Sequence, residues 1–424
     1  MISGAAWTFL FVSVVRLVVH HACSFINSFF LKMANKTLEG VVVLDLSSYL
    51  AGPYGATLLG DLGAEVIKVE PPGGDMMRHY PSTLAEESRA FLGSNRNKRS
   101  IVIDLKQPRG LEVLQRWVAK SDVLLHNFRP GVPEKLGIDP ASLKKIRPNI
   151  VTCALTGFGQ SGPLKDLPGF DQVLQCYSGV AEFQGLGEDA PRIVWGSIID
   201  YYSASLLAMA ISAALYRREI SGEAQEVDVS LLRSALALQA GRMVWADSEE
   251  RDTPRDLRSG RLTGIHPTRE GFLYFQAQTP PFWTALCECL GLPELAQNPR
   301  YDDMRKRKAL DHELVPIVRK VLATRTAVEW GKILAGRVPS SVVQPMENLF
   351  DDPQVEALGL IVEHDHPKVG RYRAATQPVQ INDPATNVPD RRAPMLGEHT
   401  DELLREVGYS EADVQALRAL KSVH

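Results

Sequence analysis

The chain has 424 residues, 45% hydrophobic and 23% charged, with a formal net charge of -3. This length supports more than one hydrophobic core, so two domains are expected. The balanced charge excludes a general basic field for nucleic acid, so an anionic ligand has to be met by local Lys and Arg. The five cysteines, Cys23, Cys153, Cys176, Cys287 and Cys289, are scattered and odd in number. They form neither a zinc site nor a disulfide framework, and they suit a reducing compartment.

Residues 1–32 differ from the rest. From Ala5 to Phe30 they are mostly apolar, interrupted by Arg16, His20 and His21, with no small-residue cleavage site. A membrane anchor, an organellar targeting peptide and an upstream start codon are the three accounts. The third is preferred, because Met33 is followed by a short polar stretch and then a strand. No other segment is expected to span a bilayer.

Val41 to Leu46 is a short apolar, β-branched run, as in a strand buried on both faces. Ala51-Gly52-Pro53 is expected to break it, with a helix over Tyr54 to Leu62 and a second strand over Ala64 to Glu70. This βαβ unit lacks G-x-G-x-x-G, which argues against a nicotinamide enzyme. Asn95 to Ser100 reads as a basic loop leading into a strand over Ile101 to Leu105. A helix follows over Gly110 to Ala119, then a strand over Val123 to Leu125 that ends in His126-Asn127-Phe128-Arg129. Basic and aromatic residues at strand ends point to a phosphorylated, ring-bearing ligand, although solvated loops have the same composition.

A strand over Ile150 to Leu155 leads to the glycine-rich loop Thr156 to Pro163, whose glycines allow close backbone approach to a ligand or simply make a turn. Asp171 opens a helix. From Tyr201 to Leu215 the chain is apolar or small on nearly every side, which predicts a buried helix with Asp200 at its N-cap, kept ionised by the helix dipole. Capping alone accounts for such an Asp. A strand over Gln225 to Val229 and a helix over Leu231 to Val244 lead out of the first domain. A polar stretch, 248–261, marks a boundary, and a new unit begins near Gly271. It has a strand over Phe272 to Gln276 and helices over Pro281 to Leu290, His312 to Ala323 and Ala327 to Leu334. The run from Pro339 to Pro384 reads as a return connection, and the tail from Gly397 as one or two short helices.

The order of these motifs resembles the class III coenzyme A transferases, the group with formyl-CoA, carnitine-CoA and succinyl-CoA:glutarate transferases. The matching pieces are VVVLDLSSYLAGP at 41–53, GDLGAEVIKVEPPGGD at 60–75, SNRNKRSIVIDL at 94–105, HNFRPGVPEKLGI at 126–138, TGFGQSGP at 156–163, GFD at 169–171 and LGEHTDELL at 396–404. The resemblance implies an α/β fold: a Rossmann-like large domain, a smaller α+β domain, long linkers, and a homodimer of interlocked rings. On this reading 1–32 is a non-matching extension, 33–218 the large CoA-binding domain, 219–258 a linker, 259–345 the small domain, 346–395 a return linker, and 396–424 helices packing on the large domain.

The resemblance also implies Asp200 as the nucleophile, with neighbouring backbone N–H groups available to a developing oxyanion, and Asp171 as a secondary carboxylate. Ala51, Asn95, Arg96, Asn97, Asn127, Phe128 and Lys135 fall at CoA-binding positions. No metal and no permanently bound cofactor are implied; a coenzyme A thioester is the cosubstrate, and a carboxylic acid the acceptor. No nucleic acid or membrane partner is expected. The setting is cytoplasmic, or mitochondrial if residues 1–32 are a targeting segment. The chain departs from formyl-CoA transferase at Leu50 (Gln there), Pro71 (Arg) and Asp171 (Glu), and the glycine-rich lid is not reproduced at 259–264, which puts oxalate chemistry in doubt. Two alternatives stand beside transfer: the related α-methylacyl-CoA racemase, which uses a His where this chain has Phe170 and so lacks one of its two bases here, and a non-catalytic CoA-binding protein. Arg258, Arg261 and His266 are candidates for the distal end of a dicarboxylate.

Overall fold

The computed structural model describes residues 37–84, 86–184, 191–249, 262–381 and 391–424. Residues 1–32, Arg258, Arg261 and the first half (259–261) of the segment compared with the glycine-rich lid lie outside them. The chain divides into a larger unit, which runs to Val244 and resumes at Leu358, and a smaller unit, Trp245–Ala357.

The larger unit is built on six parallel strands: β1 (Val42–Asp45), β2 (Glu65–Glu70), β3 (Lys98–Val102), β4 (Val123–His126), β5 (Val151–Thr156) and β6 (Gln225–Ser230). Their spatial order is β3-β2-β1-β4-β5-β6, so the direction of winding reverses between β1 and β4. Alternate side chains of β1 enter opposite layers, as strand geometry requires. Val43 joins Val66, Val123 and Val151 beneath α1 (Ala51–Asp61) and the long helix α4 (Ile198–Ser221). Leu44 joins Ile67, Ile101 and Leu124 beneath α2 (Pro108–Lys120) and the C-terminal helices Thr400–Glu406 and Glu411–Ala419. Helices therefore cover both faces of the sheet. α1 lies close against α4, where a Cβ on Gly55 would stand 2.7 Å from the Leu207 side chain.

Several expected boundaries move. Ala51-Gly52-Pro53 is the first turn of α1 and not a break, because a first-turn proline gives up only an N–H that has no partner within the helix. β3 starts at Lys98, three positions before the expected Ile101, because Asp45 neutralises the buried Lys98 ammonium. β6 and the helix Leu231–Leu238 belong to the larger unit: β6 pairs with β5, and Leu231 and Ala235 enter its core. The expected linker 219–258 thus contains the sheet's last strand. The expected return linker 346–395 contains an antiparallel hairpin, Ile361–His366 with Gly370–Ala375.

α4 is a surface helix on one side and not buried all round. Leu207, Ile211 and Leu215 are in the core, while Met209 is 63% and Tyr216 71% exposed. By length and composition α4 is apolar enough to cross a membrane, although its inner face packs on α1 and the sheet. The smaller unit holds a three-stranded antiparallel sheet, and Phe275, Trp283, Leu314 and Trp330 form its core. His266 is buried there, stacked on Phe275, with Nε2 3.0 Å from the Leu262 carbonyl, and so does not offer itself to a dicarboxylate.

Candidate active site

Where winding reverses in an open parallel sheet, the loops leaving neighbouring strands diverge and open a crevice. Here the diverging loops follow β1 and β4. The β1 loop is held from two sides. The Asn127 side chain accepts from the Ser48 N–H at 3.0 Å and donates to the Ser48 carbonyl at 2.7 Å. Asp75 Oδ1 accepts from Ser48 Oγ at 2.7 Å and from the Tyr49 N–H at 3.0 Å. Behind it, Lys68 pairs with Asp75 at 2.7 Å, and Lys98 with Asp45 at 2.8 Å. Burial works against ionising Asp75, but Lys68 and the hydrogen bonds outweigh it and hold its pKa at about 2.

The second wall is the start of α4. Asp200 is the third residue of this helix and not its N-cap; that position is Ser197, whose side chain caps nothing. The cap comes from Asp171, which heads the helix Asp171–Tyr177 (α3, preceding α4 in the chain). Asp171 Oδ2 accepts from the N–H groups of Ile199 at 2.6 Å and Asp200 at 3.1 Å, and Gln175 donates to Oδ1 at 2.5 Å. Two of the N–H groups that the resemblance offers to an oxyanion are therefore already engaged. Burial, reinforced by the charge of Asp171, pushes Asp200 up to about 7, the reverse of the dipole-stabilised ion expected from the sequence. Near neutral pH it is an unusually basic carboxylate that readily changes charge.

Between these walls lies a cleft of about 360 Å³. Ser48, Tyr49, Leu50 and Ala51 line it from the β1 loop, Asn127, Phe128 and Arg129 from the β4 loop, Thr156 and Gly157 from the β5 loop, and Lys165, Phe170 and Asp200 from further along. Gly157 and Gly169 are in backbone contact: a Cβ on Gly157 would stand 2.6 Å from the Gly169 Cα. The close approach that the glycine-rich loop was expected to offer a ligand is made, at Gly157, to the chain itself. Phe128 stacks on His126, whose pKa burial pulls down to about 4.

The fold thus brings Ala51, Asn127, Phe128 and Asp200 together, with Asp171 directly behind. Lys135 is exposed on a short helix and does not line this cleft. Asn95, Arg96 and Asn97 do not line it either. Asn95 Oδ1 accepts from Lys98, Arg96 pairs with Asp61, and Asn97 Nδ2 donates to Asp61 at 2.8 Å. These side chains brace the bend into β3.

A family model, CoA-transferase family III, matches residues 38–400. This chain belongs to CoA-transferase family III. An acetyl-CoA:oxalate CoA-transferase of Acetobacter aceti is 34% identical over 390 residues, covering 88% of this chain and 96% of that one. A succinyl-CoA:glutarate CoA-transferase of Mus musculus is 33% identical over 90% of this chain and 89% of its own. Among solved structures, a CAIB/BAIF family protein from Brucella suis superposes with a TM-score of 0.77 at 28% identity, covering 88% of this chain and 100% of that one. A hypothetical protein of Mycobacterium tuberculosis gives a TM-score of 0.76 at 31% identity, covering 87% and 99%.

As a family III CoA-transferase the protein is an enzyme with a CoA thioester as cosubstrate. In that light the cleft contains residues that sequence reasoning did not single out. Lys165 sits in a polar turn with no pattern to mark it. Tyr49 carries no signal in the sequence, because only the backbone conformation, with φ of 71°, makes it unusual.

Proposed function

We propose that the enzyme moves CoA from an acyl-CoA thioester, such as succinyl-CoA, to a carboxylic acid, with Asp200 as the nucleophile. The observation that carries the reading is the state of Asp200: at the edge of a cleft, beside a second carboxylate, with its pKa at about 7. A carboxylate attacks a thioester carbonyl only when ionised, and a higher basicity makes it the better nucleophile. Attack by Asp200 Oδ on the thioester forms an acyl-aspartyl anhydride and releases CoA thiolate. The thiolate attacks the aspartyl carbonyl, giving an aspartyl-CoA thioester and freeing the donor acid. The acceptor carboxylate attacks that thioester to form a second anhydride, and the thiolate then takes the acceptor's acyl group and regenerates Asp200. Charge is conserved at each step.

Ala51, Asn127 and Phe128 are the CoA-side residues of this reading, with Arg129 and Lys165 as the cations for its phosphates. The sheet order supports a Rossmann-like CoA-binding unit, and the exposed apolar side of α4 (Met209, Tyr216, Ile220) fits a homodimer. The α-methylacyl-CoA racemase reading is disfavoured by Phe170, which brings a ring without a titratable proton to the wall beside Asp171 and Asp200. The test is CoA exchange between succinyl-CoA or acetyl-CoA and a panel of acids, with hydroxylamine added during turnover. Wild-type enzyme should acquire a hydroxamate on the peptide containing Asp200, and Asp200→Asn should lose transfer by a factor of about a thousand or more. Near-normal transfer by Asp200→Asn, or a hydroxamate on Asp171, would assign the nucleophile elsewhere.

A further inference from the structure

Tyr49 has φ of 71°, in the left-handed region that bulky side chains avoid. Glycine takes this conformation without strain, yet the position carries a ring. The strain is held in place on both sides: Asp75 accepts from the Tyr49 N–H, and Asn127 bonds both backbone groups of Ser48. Residues kept in costly conformations by such bracing concentrate where a protein acts on a ligand. The ring lies across the cleft, edge to face with Phe170, with centroids 5.4 Å apart and planes at 78°. Phe170 directly precedes Asp171, whose carboxylate holds the Asp200 N–H, so the aromatic pair is tied to the reacting group through two links. Both rings remain uncovered, Tyr49 39% and Phe170 48% exposed, and Leu50 and Ala51 continue the same wall.

We infer that Tyr49 and Phe170 determine acyl specificity: their rings pack the body of the acyl group beside Asp200 and fit a monocarboxylic acid with a branched or aromatic body rather than a short dicarboxylate. This rests on the transfer reading above and narrows it: donor and acceptor acyl groups both join Asp200, so an apolar acyl-CoA replaces succinyl-CoA as the favoured donor. A second carboxylate placed against these rings would lose hydration, with Asp171 and Asp200 as its charged neighbours. Arg129 and Lys165, the cations lining the cleft among the described residues, are both exposed side chains on other loops.

The test measures kcat/KM with acetyl-CoA as donor and isovalerate, phenylacetate, oxalate, succinate and glutarate as acceptors. Wild-type enzyme should favour the first two by about tenfold or more. Tyr49→Gly relieves the strained φ, so its melting temperature should hold or rise, while KM for the apolar acids rises about tenfold and the preference narrows. Tyr49→Phe should restore the wild-type ratio, and Phe170→Leu should narrow it. A wild-type preference for dicarboxylates, or an unchanged ratio in Tyr49→Gly, overturns the inference and leaves transfer standing. No transfer to any acid from acetyl-CoA or succinyl-CoA overturns both.

Discussion

Behind the cleft, around β2 and β3, each buried carboxylate has a cation: Lys98 and Lys68 hold Asp45, Lys68 holds Asp75, and Arg78 holds Glu70 and Glu87. In the cleft, Asp171 and Asp200 stand together, and among the described residues no cation acts on Asp200 to offset burial and the like charge. For Asp45, Glu70 and Asp75 the outcome is the opposite of that at Asp200, while Glu87, which shares Arg78 with Glu70, is raised by burial. Burial opposes ionisation of Asp45, Glu70 and Asp75, but their partners outweigh it and hold all three below the usual carboxylate range. Asp200, with burial and a like charge acting in the same direction, rises to about 7. Charges that hold the fold are neutralised, and the charge at the cleft, the nucleophile of the proposed transfer, is not.

The two regions therefore depend on pH with opposite sign. Asp75, normally near 3.8 and held at about 2, contributes stability that is present above pH 4 and lost as pH falls toward 2, and Asp45 and Glu70 act in the same direction. Asp200, raised from 3.8, favours the native state below pH 4, and this contribution is lost as pH rises through about 7.

Breaking the paired region should have the largest effect on stability. Lys98→Met leaves Asp45 buried with Lys68 4.0 Å away, and should cost about 3–5 kcal/mol in urea unfolding at pH 7. A cost below about 1 kcal/mol would mean that the cluster does not hold the β1 loop. Asp171→Asn sharpens the comparison from the other side. The amide oxygen still accepts from the helix N–H groups, but the like charge is gone. The amide nitrogen, however, replaces the oxygen that accepts from Gln175 Nε2 and sets donor against donor, so stability at pH 8 should fall by about 1 kcal/mol. The kcat/KM should fall about tenfold, and the acid limb of its pH profile should move down from about 7 by on the order of one unit. An unmoved limb would show that burial alone sets the Asp200 pKa. The smallest effect belongs to the exposed pair of Lys144 and Glu226, 2.6 Å apart. Lys144→Ala should change stability by less than about 0.5 kcal/mol, because solvent screens such a pair.

Much was legible in the sequence because it follows from local pattern. The β-branched runs at Val42–Asp45, Glu65–Glu70 and Val151–Thr156 are strands within a residue or two of expectation. Asp171 and Asp200 were visible as carboxylates at helix starts, and Asn127 and Phe128 as residues at a strand end. What failed was long-range. Lys98 reads as a loop residue until Asp45, 53 positions away, is known to take its charge. Asn95 and Asn97 bond Lys98 and Asp61, partners that the local sequence does not reveal. A hairpin at Ile361–His366 and Gly370–Ala375 lacked the clean alternation that announces strands.

The sequence by itself determined the strands of the sheet, the family, and which carboxylates deserved attention, because hydrophobic period and residue type are local properties. The tertiary structure alone decided which carboxylate caps α4 and which is left at the cleft with a raised pKa. Asp171 and Asp200 are 29 positions apart, and only their meeting in space gives one the helix N–H groups and the other a pKa of about 7. A pKa is set by the neighbours and the solvent that the fold removes or supplies, and no run of residues encodes that on its own.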